Sequence, residues 1–315
     1  MTAACLICGC REHVPLFHSS DRLYHTTKEK FAVLRCQDCG LLRLDPQPPP
    51  DEVHRYYPPD YWYAPDATAA GRLEEAYRRF VLRDHLRFVE QALRSSSAEG
   101  PVLDVGCGGG LFLGSLRPRG FHVVGLDFSR EAAAIAWKQN HAPAVCAALE
   151  RAPFRPGSLS GVTMFHVLEH LHNPRRHLVA ARELLAPDGR LIVQVPNAGC
   201  WQFRFLGRRW NGLDVPRHLF DYRDSDIAKM IEAAGFEVVR RKYFSLRDNP
   251  AGLASSLAPW LDPMARRVRR NVEHTAVRLI KDGVYFGLTV ASLPFAALEA
   301  AVEAGSTVML EARKP

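Results

Sequence analysis

The sequence has no basic N-terminal region followed by an apolar stretch, so no secretory signal is expected and the chain is predicted to stay in the reducing cytosol. It also lacks internal repeats, which excludes solenoids and propellers. No Lys/Arg run interleaved with aromatics tracks a nucleic-acid backbone, which argues against RNA as a partner. Compositional extremes are absent too: 47% hydrophobic and 24% charged residues exclude collagen-like, low-complexity and wholly disordered chains. At 315 residues, about two packed domains are expected. Lys+Arg 41 against Asp+Glu 34 leaves +7 at pH 7, which permits contact with phosphates or anionic lipid without requiring it.

Of the 8 cysteines, four form two pairs, Cys5-x-x-Cys8 and Cys36-x-x-Cys39, each followed by a glycine, Gly9 and Gly40. Two such knuckles predict a tetrahedral four-thiolate site for a structural zinc, with no open coordination position. The alternatives are buried thiols or a redox dithiol. Residues 31–35 read as a strand leading into the second knuckle, as in a zinc ribbon, and so small a module needs its metal to fold. Residues 1–48 are taken as this module, closed by the stiff linker Asp45-Pro-Gln-Pro-Pro-Pro. Residues 49–99 form a second segment: a cluster running from Tyr56 and Tyr57 to Tyr61, Trp62 and Tyr63, then one helix over 73–93. The aromatic cluster either packs domains together or covers a ligand.

From residue 100 onward, strand and helix patterns alternate, which predicts a parallel, doubly wound α/β domain over 100–315. Val102-Leu-Asp-Val-Gly-Cys-Gly-Gly-Gly110 runs from an apolar strand into a glycine turn, where a ligand can lie against bare backbone. A dinucleotide fingerprint would need a glycine at Leu111, and Asp104 would repel a pyrophosphate. A cationic ligand fits better, since Asp104 can attract an ammonium. Asp127, in Val123-Val-Gly-Leu-Asp127, ends the next strand, where a carboxylate can accept from two ribose hydroxyls.

At these residues the sequence resembles the class I S-adenosylmethionine-dependent methyltransferases. The likeness continues through Pro153-Phe-Arg-Pro-Gly-Ser, Met164-Phe-His-Val-Leu-Glu-His170, Leu184-Leu-Ala-Pro-Asp-Gly-Arg-Leu and Ala234-Gly-Phe-Glu-Val. It implies a Rossmann-like seven-stranded sheet, with S-adenosylmethionine held by Asp104, Gly106, Gly108 and Asp127 and its adenine flanked by Ala148 and Leu149. The chain departs from the family at Ala147-Ala148, where relatives often carry Gly-Asp, and at Leu159-Ser160, where Phe-Asp is usual. Its first segment looks like the zinc module fused to many bacterial methyltransferases, including those acting on sugars.

Methyl transfer is an in-line displacement on an activated sulfonium, so the protein aligns the acceptor and removes one proton. His166, where strand four should end, and His218, in the loop after strand five, are the candidate general bases, with Asp214 and Arg217 orienting the substrate. The competing reading packs His166 under the cofactor and lets His170 with Glu169 cap a helix. The expected acceptor is a hydroxyl or carbon nucleophile on a sugar, a lipid-linked intermediate or a secondary metabolite; the alternative is an RNA-modifying enzyme. A helical insertion is expected at about 245–305. Its basic start, Met264-Ala-Arg-Arg-Val-Arg-Arg270, and the uncharged stretch 284–298 are read either as peripheral membrane contact through 264–298 or as a cap over the substrate pocket or a dimer face. That stretch is shorter than the roughly 20 residues that span a bilayer and holds Pro294, so a transmembrane helix is not expected.

Overall fold

The computed structural model of the protein describes residues 4–58, 61, 69–271 and 273–315. Trp62 and Tyr63 of the aromatic cluster lie outside the described residues. Four strands are buried along nearly their whole length: Val102–Val105 (β4), Val123–Asp127 (β5), Leu159–Phe165 (β7) and Leu185–Pro196 (β8). Burial on both sides of the strand suits a sheet covered on both faces. Ala144–Cys146 (β6), Glu237–Lys242 (β10) and Thr307–Arg313 (β11) complete seven strands in the order β10-β11-β8-β7-β4-β5-β6. The five strands from β6 to β8 run parallel, and β11 is antiparallel to both of its neighbours. The chain order reverses between β4 and β7, so a crevice opens at their carboxyl ends.

The helices between strands carry local signals of their own. Arg130–Asn140 (α4) starts at Ser129, whose side chain accepts from the amide of Ala132, and Pro174–Leu184 (α5) starts at Asn173 with proline in its first turn. In place of one helix over 73–93, the chain forms Ala69–Val81 (α1) and Arg83–Arg94 (α2), breaking at Leu82.

The N-terminal segment is not a separable module. His13–Ser19 (β1), Phe31–Cys36 (β2) and Leu42–Asp45 (β3) form an antiparallel sheet whose fourth strand, Phe220–Asp221 (β9), comes from the loop after β8. The amide of Leu44 and the side-chain amide of Gln47 both donate to the carbonyl of Leu219, at 3.0 and 2.9 Å. Phe31, Val33 and Leu44 share one hydrophobic core with Leu103, Met164 and Leu219, each such side chain contributing about 1.5–3 kcal/mol by leaving water. Because the Pro-rich stretch breaks only local hydrogen bonding, it does not stop the segments on its two sides from pairing with a distant strand.

Between β10 and β11 run Asn249–Leu257 (α8), Pro263–Val268 (α9) and Thr275–Ala301 (α10). Helix α10 buries Thr289, Ser292, Ala296 and Glu299 and exposes Leu279, Ile280, Val284, Phe286 and Leu298. Pro294 lies inside this helix without ending it, so the helix is 27 residues long and exceeds the apolar stretch read from sequence. By length and composition it is the one helix among the described residues that could cross a membrane.

Candidate active site

The turn after β4 places Gly106, Gly108 and Gly110 in the left-handed region, at φ of 72°, 51° and 74°. A Cβ on Gly106 would meet Val167 Cγ2 at 2.7 Å, so the turn presses bare backbone against the segment that follows β7. Asp127, at the end of β5, accepts from the amides of Gly108 and Ser129, each at 2.9 Å. Burial raises its pKa while these amides lower it. Asp104 is also buried, accepts from the Thr163 hydroxyl at 2.6 Å and is pushed up to about 7 by burial, with the charge of Asp127 adding to the rise. A cation placed beside Asp104 would restore its ionised form. Leu149 turns its side chain into the core, while Ala148 is exposed.

The other wall of the crevice is a cluster of titratable groups. His166 takes φ +55° at the end of β7, and the single turn Leu168–His170 then carries the buried Glu169 and His170. His166 Nδ1 lies 3.2 Å from Glu169 Oε1; its Nε2 lies 3.0 Å from the Gln194 amide nitrogen and 3.7 Å from Asp248 Oδ2. Burial alone would lower its pKa, but Asp248 and Glu169 push it up to about 9. Both ring nitrogens are thus engaged within the protein, Nδ1 by Glu169 and Nε2 by Gln194.

His218 differs in this respect. Its Nδ1 donates to the carbonyl of Gly212 at 2.7 Å, which leaves the lone pair on Nε2, 4.0 Å from Glu169 Oε1 and 4.0 Å from Asp214 Oδ2. The His170 ring centroid is 4.6 Å away. Burial and the proximity of His218 push His170 down to about 4, so it is neutral at physiological pH. Its Nδ1 lies 2.9 Å from the Tyr57 hydroxyl and 3.0 Å from the Arg217 carbonyl. The Tyr57 ring also packs edge-on against Phe128, beside Asp127, so one tyrosine touches both walls.

Asp214 and Arg217, expected to orient the substrate, are occupied elsewhere. All five N–H groups of Arg217 are committed: Nε and Nη2 to Asp214 (2.9 and 2.7 Å), Nη1 and Nη2 to Asp21 (3.1 and 3.0 Å), and Nη1 to the Tyr56 carbonyl (3.3 Å). The guanidinium, fully buried, lies over the Tyr24 ring at 4.4 Å. It has no donor left for an acceptor. Sequence reasoning missed Asp21 and Asp248, because single acids in loops far from any motif give no signal. It found Tyr57 only as one of an aromatic cluster.

Cys5, Cys8, Cys36 and Cys39 place their sulfurs within 4.8 Å of one another, with Cys5–Cys39 and Cys8–Cys36 at 3.5 Å. Gly9 and Gly40 take φ of +77° and +78°, as the two knuckles require. A tetrahedral ion with bonds of about 2.3 Å to sulfur needs sulfurs about 3.8 Å apart, so this donor set fits zinc.

Residues 74–241, just over half of the chain, match a family described as "Methyltransferase domain". A ubiquinone biosynthesis O-methyltransferase from Aromatoleum aromaticum is 31% identical over 152 residues, covering 43% of this chain and 63% of its own length. One from Cronobacter sakazakii is 30% identical over 175 residues, covering 51% and 70%. The chain thus spans just under two thirds of the Aromatoleum protein. A SAM-dependent methyltransferase structure from Archaeoglobus fulgidus superposes with a TM-score of 0.50 at 17% identity, over 78% of this chain and 100% of the other; that likeness is one of fold.

Proposed function

The chain belongs to the methyltransferase-domain family and is an S-adenosylmethionine-dependent methyltransferase, and from that premise we propose that it methylates a hydroxyl or carbon nucleophile of a small molecule, with His218 as the general base. The bound cofactor supplies a methyl group on an activated sulfonium. Asp127 would accept from the ribose hydroxyls, Asp104 would face the methionine ammonium, and Gly106 and Gly108 would line the methionine, with Ala148 and Leu149 beside adenine. The observation that carries this reading is the close approach of the glycine turn to Val167, the residue before the turn that bears Glu169 and His170, which in turn lie beside His218. The acceptor's proton passes to His218 Nε2. Glu169 and Asp214, each 4.0 Å away, favour the imidazolium that forms.

The relatives named as O-methyltransferases favour oxygen as the methylated atom. Incubating the purified chain with methyl-labelled cofactor and either small-molecule extracts or RNA tests the acceptor class; label in the small-molecule fraction is expected, and label in RNA alone would overturn the proposal. Asp127→Ala is expected to weaken cofactor binding by about 1.5–3 kcal/mol, since it removes hydrogen bonds to a charged acceptor. Unchanged affinity by calorimetry would remove Asp127 from the site.

The four-cysteine site is read as holding a structural zinc. The outward face of α10 supports a further reading, contact with anionic membrane. Ile280, Val284, Phe286 and Leu298 are exposed along α10, Tyr77 of α1 packs edge-on against Phe286, and Leu73 and Phe80 of α1 are exposed too. Arg269, Arg270 and Arg278 stand at one end, suited to anionic headgroups. Flotation with anionic vesicles is expected at low salt and reduced at high salt; no association at either ionic strength would sink it.

A further inference from the structure

We propose that Asp21, contributed by the N-terminal sheet, is a positioning residue of the active site that sets both His170 and His218 through Arg217. The inference rests on the assignment of His218 above. Asp21 sits between β1 and β2, and its side chain is entirely buried. Both of its oxygens are fully used: Oδ1 accepts from the Tyr24 amide (2.9 Å) and Arg217 Nη2 (3.0 Å), Oδ2 from the Thr26 amide (2.9 Å), the Thr26 hydroxyl (2.6 Å) and Arg217 Nη1 (3.1 Å).

A buried ion pair of this kind gains little over apolar packing, because desolvation offsets most of its attraction. What it does provide is a fixed geometry. Arg217 closes the turn 214–218, with its amide and that of His218 donating to the Asp214 carbonyl at 2.8 and 3.2 Å. The Arg217 carbonyl fixes the His170 ring, and the Gly212 carbonyl, two residues before that turn, holds the His218 ring. Asp21 therefore anchors, from outside the methyltransferase core, the side chain of the residue whose carbonyl holds the His170 ring and whose neighbour in the chain is His218. It also sets their electrostatics. Facing His218 are Glu169, Asp214 and the His170 ring, with Tyr57 beside His170 and Tyr61 beside Tyr57; Asp21 and Asp214 together neutralise the Arg217 cation.

Two variants of the full chain separate geometry from charge. Asp21→Asn removes the negative charge, exposing the imidazoles to Arg217. It is expected to lower kcat roughly ten- to a hundred-fold, as a misplaced group does, while cofactor affinity changes less than about two-fold. The acid limb of its kcat–pH profile should move to lower pH, because a nearby uncompensated cation disfavours the imidazolium. Arg217→Lys keeps the charge but loses the planar fork, so kcat should fall with little movement of that limb. If Asp21→Asn fails to fold, Arg217→Lys carries the test through its split between kcat and cofactor affinity. A folded Asp21→Asn with unchanged kcat and pH profile overturns the inference, as does a loss of cofactor affinity that matches the loss of kcat in either variant. Full activity in His218→Ala would instead defeat the assignment of the base itself.

Discussion

Replacing His218 by alanine is expected to lower turnover by about 10² to 10⁴, with little change in cofactor affinity. The size follows from the role: a positioned proton acceptor acts in the transition state, so its loss appears in kcat and not in ground-state binding. The selectivity follows from place, since His218 lies among Glu169, Asp214 and His170, whereas Asp127 bonds the glycine turn. His166→Ala is expected to behave differently. Both nitrogens of His166 are engaged by Glu169 and Gln194, and its pKa is pushed up to about 9, so its removal disturbs the pocket without removing the base. Pre-steady-state methyl transfer at saturating cofactor checks both variants. An equal loss from His166→Ala would move the role to that residue, and full activity in both would mean that positioning alone drives the reaction.

Cys36→Ser is expected to remove the metal, unfold the N-terminal sheet and abolish most of the activity. Metal affinity in such sites is folding free energy, on the order of 10 kcal/mol for a structural zinc in a small module, so losing one thiolate removes most of what holds the segment together. Had the segment been an independent module, the catalytic fold would survive nearly intact. The structure argues otherwise. Strand β9 belongs to the N-terminal sheet, Arg223 donates to the carbonyl of Cys39 beside the second knuckle, and the loop carrying His218 runs directly into β9. Unfolding the sheet releases that loop. One zinc per chain in the wild type, lost in the variant together with activity, is the expected result of metal analysis on protein prepared without chelator. Full activity in a metal-free variant would separate the two halves again.

The seven-stranded sheet was legible in the sequence because its signals are local. Residues 102–105 and 191–195 are mainly apolar, each bounded by a turn or helix signal, and the glycine turn needs backbone conformations that Gly106, Gly108 and Gly110 adopt without strain. Asp127 could be named because a fixed distance in sequence carries the chain through one helix to the end of the neighbouring strand. The four cysteines could be grouped because two knuckles impose their own spacing. The break at Leu82 was not legible, since the apolar spacing of α1 continues into α2 without a proline or glycine to mark it.

What the sequence alone determined, then, is the alternation of strands and helices, the glycine turn after the first of those strands and the grouping of the four thiols, each set by residues near one another in the chain. Only the tertiary structure decided which charged groups meet. Asp21 and Arg217 are separated by 196 positions, yet they form the buried pair beneath the two imidazoles. Asp248 reaches His166 from beyond the core sheet, and β9 joins a sheet that begins more than 200 residues earlier. The physical reason is that apolar periodicity and turn chemistry act within a few residues, whereas the pairing of a buried charge depends on which surfaces the packed core finally brings together.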